Sequence, residues 1–234
     1  MQPSHLYTGE SPDSALLTHL QSSVELDKAS LAKELHDDLG GLVLAAVMDV
    51  SWAEQHVSSS VARGRLARVR DTLRSAIDLE RRIIEELRPS LLDNVGLFAA
   101  LSWELKQRCA RSGLQCSERY PQSELRFTPE ASIALFRIAQ EALAISSTQG
   151  SVAKEELCIF AEPEAITLRF SNELRFENDE IASPPGAMDR DTPLFVSMLH
   201  RIHVLGGNLH IESSPHNSAM TISIPVSRAL LPSV

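Results

Sequence analysis

The segment Glu34-Leu35-His36-Asp37-Asp38-Leu39-Gly40-Gly41 sets a histidine directly before a carboxylate. Imidazole titrates near neutrality, so an exposed ring can offer a neutral nitrogen to a phosphoryl group, while a neighbouring carboxylate holds the other ring N–H and fixes the tautomer. The pair points to phosphoryl chemistry on His36, with Asp37 orienting the ring or accepting its proton. Lys33 lies three residues earlier, close to the same helical face, where it can offset the charge of a phosphohistidine or pair with Asp37 or Glu34 in solvent. Each residue also has a plainer meaning. A histidine on a helix is most often a half-exposed polar residue, and an aspartate there a surface carboxylate.

The elements that must position these groups follow from periodicity. Leu31, Leu35, Leu39, Leu42, Val43, Ala46, Val50 and Ala53 recur at threes and fours and predict an amphipathic helix over residues 24–57, with His36 beside its stripe. After the polar break His56-Val57-Ser58-Ser59-Ser60, Leu66, Val69, Leu73, Ala76, Ile77, Leu79, Ile83, Ile84 and Leu87 predict a second helix, stopped at Arg88-Pro89. One hairpin cannot cover stripes this long, whereas two hairpins joined as a four-helix bundle can, so a homodimer is expected. The alternative is packing on the chain's own C-terminal half. Residues 1–22, polar and holding Pro3, Gly9 and Pro12, are expected to be flexible or partly helical, and the hairpin then occupies 23–92.

From 93 to 234 the pattern mixes helices at 97–111, 129–147 and 194–205 with strands at 114–120, 156–161, 165–170, 208–212 and 220–226. Gly113 ends the first of these helices and Pro163 marks the turn of a strand hairpin. The expected class is therefore α+β: a helical hairpin dimerising into a four-helix bundle, followed by an α/β sandwich with helices on one face of a largely antiparallel sheet.

Composition narrows the partners. With 31 acidic against 22 basic side chains the chain carries a formal charge of −9, which repels a phosphate backbone and argues against nucleic-acid binding. No apolar run approaches a membrane span, and Met1 to Glu10 has neither a basic stretch nor an apolar core, so a cytoplasmic protein is expected, with no membrane partner. Cys109, Cys116 and Cys158 show no CxxC pairing and read as reduced thiols, forming neither a disulfide nor a zinc site. His200 and His203 lack accompanying ligands, so no metal is expected. Trp52 and Trp103 sit on apolar stripes and read as core, and Glu173, Glu177, Asp179 and Glu180 as a solvated loop.

Several segments in collinear order resemble a known family. Glu34-Leu35-His36-Asp37 with Leu39-Gly40-Gly41, then Leu87-Arg88-Pro89-Ser90-Leu91-Leu92-Asp93, then Leu135-Phe136-Arg137-Ile138-Ala139-Gln140-Glu141-Ala142-Leu143, are similar to the core of two-component sensor histidine kinases. Leu205-Gly206-Gly207-Asn208-Leu209 and Ile222-Ser223-Ile224-Pro225 resemble the end of the same kinases' ATP-binding domain. The resemblance spans about residues 25–226. It implies a dimeric bundle bearing the acceptor histidine, a Bergerat-like ATPase domain over 93–234, and transfer of the phosphoryl group to an aspartate of a response-regulator receiver domain.

The departures are concentrated where the family handles nucleotide. An asparagine that holds Mg²⁺ should follow Gln-Glu-Ala-Leu after one residue, and Ile145 stands there, which cannot ligate a hard cation. Thr148 and Gln149 replace a basic pair. Asn172 takes the place of the adenine-reading aspartate, and Leu174 and Phe176 those of the glycines that let backbone approach the ligand. The lid glycines give way to Asp189-Arg190-Asp191-Thr192-Pro193, and a last Gly-Thr pair to Ala219-Met220. Gly41 stands where family members with phosphatase activity carry a glutamine that positions water.

The expected function is a dimeric histidine phosphotransferase, shuttling a phosphoryl group between receiver-domain aspartates through His36 without binding ATP. This chain would hold no cofactor, the Mg²⁺ being supplied by the receiver domain. Ala32, Leu39, Gly40, Leu42 and Val43 form the expected docking face, and a hybrid histidine kinase is a further candidate partner. Two alternatives stand beside it: a non-catalytic pseudokinase that docks or sequesters a regulator or kinase, and a divergent autophosphorylating histidine kinase.

Overall fold

A computed structural model describes residues 14–123, 125–147, 152–174, 191–214 and 217–232. The chain divides into two compact units, one spanning His19–Ser90, the other made by Leu91–Val234 with the start of the first helix.

The first unit is the helical hairpin. Helix α1 (Ser14–Glu34) passes without a break in direction into a π-helical turn, Leu35–Gly40, and then into α2 (Gly41–His56). Periodicity alone predicts one regular helix here; the turn inserts wider pitch at the residues of chemical interest. Val57 is extended and Ser59 opens α3 (Ser60–Leu87) as its N-cap, its hydroxyl accepting from Ala62 N–H at 3.3 Å. Arg88 adopts an extended conformation before Pro89, the restriction a following proline imposes, and α3 ends there. Glu85 accepts from Ser90 N–H at 3.0 Å and from its hydroxyl, fixing the exit.

Only part of the predicted stripe is covered within one chain. Leu31, Leu39 and Leu42 are exposed, as are Leu44 and Met48 on α2 and Val69, Leu79 and Ile83 on α3. Trp52, expected in the core, is 65% exposed, its ring stacked on His56 at 4.2 Å. It lies one and two turns beyond Met48 and Leu44, on the uncovered face of α2 rather than the face packed on α3.

The second unit has short α4 (Ser90–Asn94), α5 (Leu97–Ser112), β1 (Gln115–Arg119), α6 (Pro129–Ser147), β2 (Val152–Ala161), β3 (Ala165–Leu174), α7 (Pro193–Val204), β4 (Asn208–Ser213), β5 (Asn217–Pro225) and the one-turn α8 (Val226–Ala229). The sheet order is β1-β2-β3-β5-β4, with β1 parallel to β2 and the other neighbours antiparallel. Leu157, Ile159, Ile166, Leu168, Ile222 and Ile224 face a core shared with Leu101 and Leu105 of α5, Leu135 and Ile138 of α6, and Met198 and Ile202 of α7. This is the expected helix-on-sheet α+β arrangement.

Three strands run further than their apolar alternation predicts. β2 starts at Val152, β3 continues to Leu174 and β5 starts at Asn217. The added residues are paired, Asn172 with Glu155 on one side and Ser218 on the other. Their inward positions are polar, so a hydrophobic period cannot reveal them. Glu173 accordingly lies in a strand rather than a loop, while Glu177, Asp179 and Glu180 fall outside the described residues. Leu205-Gly206-Gly207 closes α7: Gly206 has φ of +67°, and a β-carbon on Gly207 would stand 2.7 Å from the Ser223 carbonyl oxygen of β5.

The cysteine expectation is corrected. Gly113 turns the chain back from α5 into β1, which brings Cys109 and Cys116 together as a disulfide with Cα atoms 6.2 Å apart; Cys158 is a free, buried thiol.

Candidate functional site

His36, Asp37, Asp38 and Leu39 are exposed in succession on the π-helical turn. A π-turn carries more residues per turn than an α-helix and so bulges, which is how consecutive side chains reach solvent beside a packed helix. Lys33 is exposed one turn earlier and makes no ion pair among the described residues, while Glu34 accepts from the Ser30 hydroxyl at 3.3 Å.

The expected docking residues separate. Leu39 and Leu42 are exposed and Val43 is half-buried, but Ala32 is 4% exposed and offers no surface to a partner. The two glycines also differ. A β-carbon on Gly41 would meet nothing within 4 Å, whereas one on Gly40 would stand 2.7 Å from Glu80 Oε1. Gly40 thus makes room for a side chain of its own hairpin, and Gly41 leaves the surface open.

In the second unit, the positions that resemble a nucleotide site are joined to one another. Arg108 donates from Nε and Nη2 to the two carboxylate oxygens of Glu155 at 2.6 and 2.9 Å. Ser146 donates its hydroxyl to Glu155 at 2.7 Å and accepts from the Asn172 amide at 2.9 Å. Asn172 Oδ1 accepts from Ser218 N–H at 3.1 Å and from its hydroxyl at 2.5 Å. Glu155 and Asn172 are 2% and 5% exposed, so this chain of bonds runs through the interior from α5 across α6, β2, β3 and β5. It satisfies groups whose burial would otherwise be costly.

Ile145 packs in the apolar core. Glu141 accepts from Ser197 Oγ at 2.7 Å and lies 3.5 Å from Arg201 Nε, and Gln140 accepts from Arg137 at 2.9 Å while donating to Glu104 at 3.3 Å. The Gln-Glu pair therefore ties α6 to α7 and α5. These described side chains do not fit Mg²⁺-nucleotide: that of Ile145 is a hydrocarbon buried in the core, with no oxygen to give a hard cation, and the Asn172 amide is engaged at its nitrogen by Ser146 and at its oxygen by Ser218. Leu174 continues β3, and Thr148, Gln149 and Phe176 lie outside the described residues.

Arg108, Ser146, Glu155 and Ser218 are absent from the sequence-derived site. Arg108 and Glu155 stand 47 residues apart with no motif linking them. His200 is buried on α7, and burial, then His203 and Arg201, lower its pKa. Among the described residues no group of His, Cys, Asp and Glu is placed to hold a metal, and no helix is long and apolar enough to cross a membrane.

Residues 27–92 match the family described as histidine kinase. The hairpin with His36 on its bulged turn, the helix-on-sheet unit after it and this family match agree. Over its helical hairpin the chain is similar to histidine kinases. Among curated relatives, it is 25% identical over 217 residues to the signal transduction histidine-protein kinase/phosphatase UhpB of Salmonella typhimurium, covering 90% of this chain and 41% of UhpB. It is 24% identical over 206 residues to the histidine-protein kinase/phosphatase DegS of Brevibacillus brevis, covering 86% and 52%. The chain thus spans about half or less of these relatives' length. The histidine kinase domain of the Erythrobacter litoralis EL346 blue-light activated kinase shares the fold, with a TM-score of 0.50 at 12% identity over 80% of this chain and 95% of that one.

Proposed function

We propose that this histidine-kinase core works as a dimeric phosphotransferase, receiving a phosphoryl group on His36 from one receiver-domain aspartate and passing it to another. The observation that carries the reading is the contrast between an exposed acceptor turn and a nucleotide position bonded to itself through Arg108, Glu155, Ser146, Asn172 and Ser218.

In the forward step a neutral imidazole nitrogen of His36 attacks the phosphorus of the receiver's acyl phosphate. The N–P bond forms, the P–O bond to the aspartate breaks, and that oxygen leaves as carboxylate; the second transfer reverses this on the next receiver. Asp37 holds the other ring N–H, and Lys33 offsets the added charge. Mg²⁺ and in-line geometry come from the receiver, so this chain supplies a positioned ring and a docking face centred on Leu39 and Leu42. Gly41, without a water-positioning side chain, favours passing the group on over losing it to water. A second copy would cover Leu44, Met48 and Trp52 of α2 with Val69, Leu79 and Ile83 of α3, completing a four-helix bundle.

Incubation with a phosphorylated receiver domain and Mg²⁺ tests the reading. Label should appear on the wild type and vanish in His36→Ala; label that never appears, or persists in that variant, ends it. A second reading, an autophosphorylating kinase with a divergent nucleotide site, draws support from relatives whose names describe kinases. It requires label from Mg²⁺-ATP alone.

A further inference from the structure

Glu80 is the one fully buried residue of the 28-residue helix α3, 6% exposed, and it is a carboxylate. Burying such a group sacrifices hydration, so its position calls for a physical reason. The side chain lies under the acceptor turn. Its Oε1 occupies the space that a β-carbon on residue 40 would need, 2.7 Å away, with Cδ and Oε2 at 3.4 Å. A β-carbon there would make the carboxylate, the far end of a flexible side chain, swing aside, so glycine at residue 40 is what lets Glu80 sit against the backbone, four residues after His36.

The turn above this contact has an unusual exposure pattern. In a regular α-helix lying on another helix, four successive residues cover more than a full turn and at least one of them faces the neighbour. Here His36, Asp37, Asp38 and Leu39 all face solvent, because the π-pitch bulges away from α3 at the level where Glu80 fills the space beneath.

We propose that Glu80 is a positioning residue for His36: packed against the Gly40 backbone, its carboxylate holds the π-turn open and keeps the imidazole presented to an incoming receiver domain. The inference rests on the reading of His36 as acceptor. Glu80 acts through the backbone, one turn from the ring, and takes no part in the phosphoryl step. Without the wedge the turn tightens to α-pitch, and the segment before it, His36 included, rotates by about 100° relative to α2 and α3, the angle of one α-helical residue.

The test uses the full chain with E80Q, E80A, G40A and the double variant G40A/E80A. Two rates are read: modification of His36 by diethyl pyrocarbonate, located by mass spectrometry and independent of any phosphoryl donor, and acceptance of label from a phosphorylated receiver. E80A and G40A should slow both by about tenfold or more, as displacements near an ångström do. E80Q, which keeps the shape and polar head of the side chain, should retain the wild-type rates. The double variant should stay slow, because removing the clash does not restore the wedge. Thermal unfolding of E80A at or above the wild-type midpoint separates lost positioning from lost folding, since the substitution removes a buried polar group. Wild-type rates in E80A and G40A, or recovery in the double variant, would overturn the proposal. A wild type that takes no label while its modification rates respond as expected would end the acceptor reading and leave the positioning intact.

Discussion

The turn at His36 and the end of the sheet at Asn172 treat polar groups in opposite ways. On the turn His36, Asp37, Asp38 and Lys33 face solvent, with exposed Leu39 and Leu42 beside them. At the sheet end Glu155 and Asn172 are buried and bonded to Arg108, Ser146 and Ser218. An exposed polar group keeps its bonding capacity for a partner, whereas a buried one must spend it inside the fold. The difference teaches which polar groups remain available to a partner: those of the His36 turn face solvent, whereas those around Asn172 are bonded within the fold.

Substitutions that move polar groups between these two states sharpen the comparison. The largest stability effect should come from Glu155→Ala, which strands a largely buried Arg108 guanidinium and the Ser146 hydroxyl. Urea denaturation should show a loss of about 3 kcal/mol, the scale of a broken buried ion pair, while folded protein still accepts label on His36. A loss within experimental noise would mean that the network does not hold the sheet. Next, Met48→Glu and Ile83→Glu charge the uncovered hairpin face and should each weaken the dimer by about 2 kcal/mol, seen by light scattering at falling concentration. An unchanged mass would remove the bundle as the mode of assembly. The smallest effect is expected at His200. Burial lowers its pKa in the folded state, so the unfolded chain takes up the proton first as pH falls through the ordinary value near 6.5. Its contribution is therefore intact above that pH and lost progressively below it. A His200→Gln variant should show a flatter fall in melting temperature between pH 7 and pH 5 than the wild type.

Much of the fold was legible because periodic burial leaves a periodic sequence. The α2 and α3 stripes, the polar break before Ser60, the stop at Pro89 and the alternation through Leu157, Ile159, Ile166 and Leu168 all have local causes. What could not be read depends on pairs far apart in the chain. Glu155 looks like a surface residue until Arg108 is brought to it, and the polar ends of β2, β3 and β5 carry no apolar rhythm. The pitch of the turn is hidden for a similar reason, since Gly40 reads only as part of a docking face until Glu80 is placed against it. Cys109 and Cys116 show no motif because a helix end and a reversal at Gly113, rather than their spacing, bring them together. His36 and Asp37 fall beside the apolar stripe, and the turn leaves both exposed; Ala32 was assigned to the docking face from spacing alone, and it lies buried.

The most direct measurement supplies the same protein with two phosphoryl donors in parallel, a phosphorylated receiver domain with Mg²⁺ and radiolabelled ATP with Mg²⁺, and maps any label by peptide. Label should appear on His36 from the receiver and not from ATP. Label on His36 from ATP alone would contradict the phosphotransferase reading.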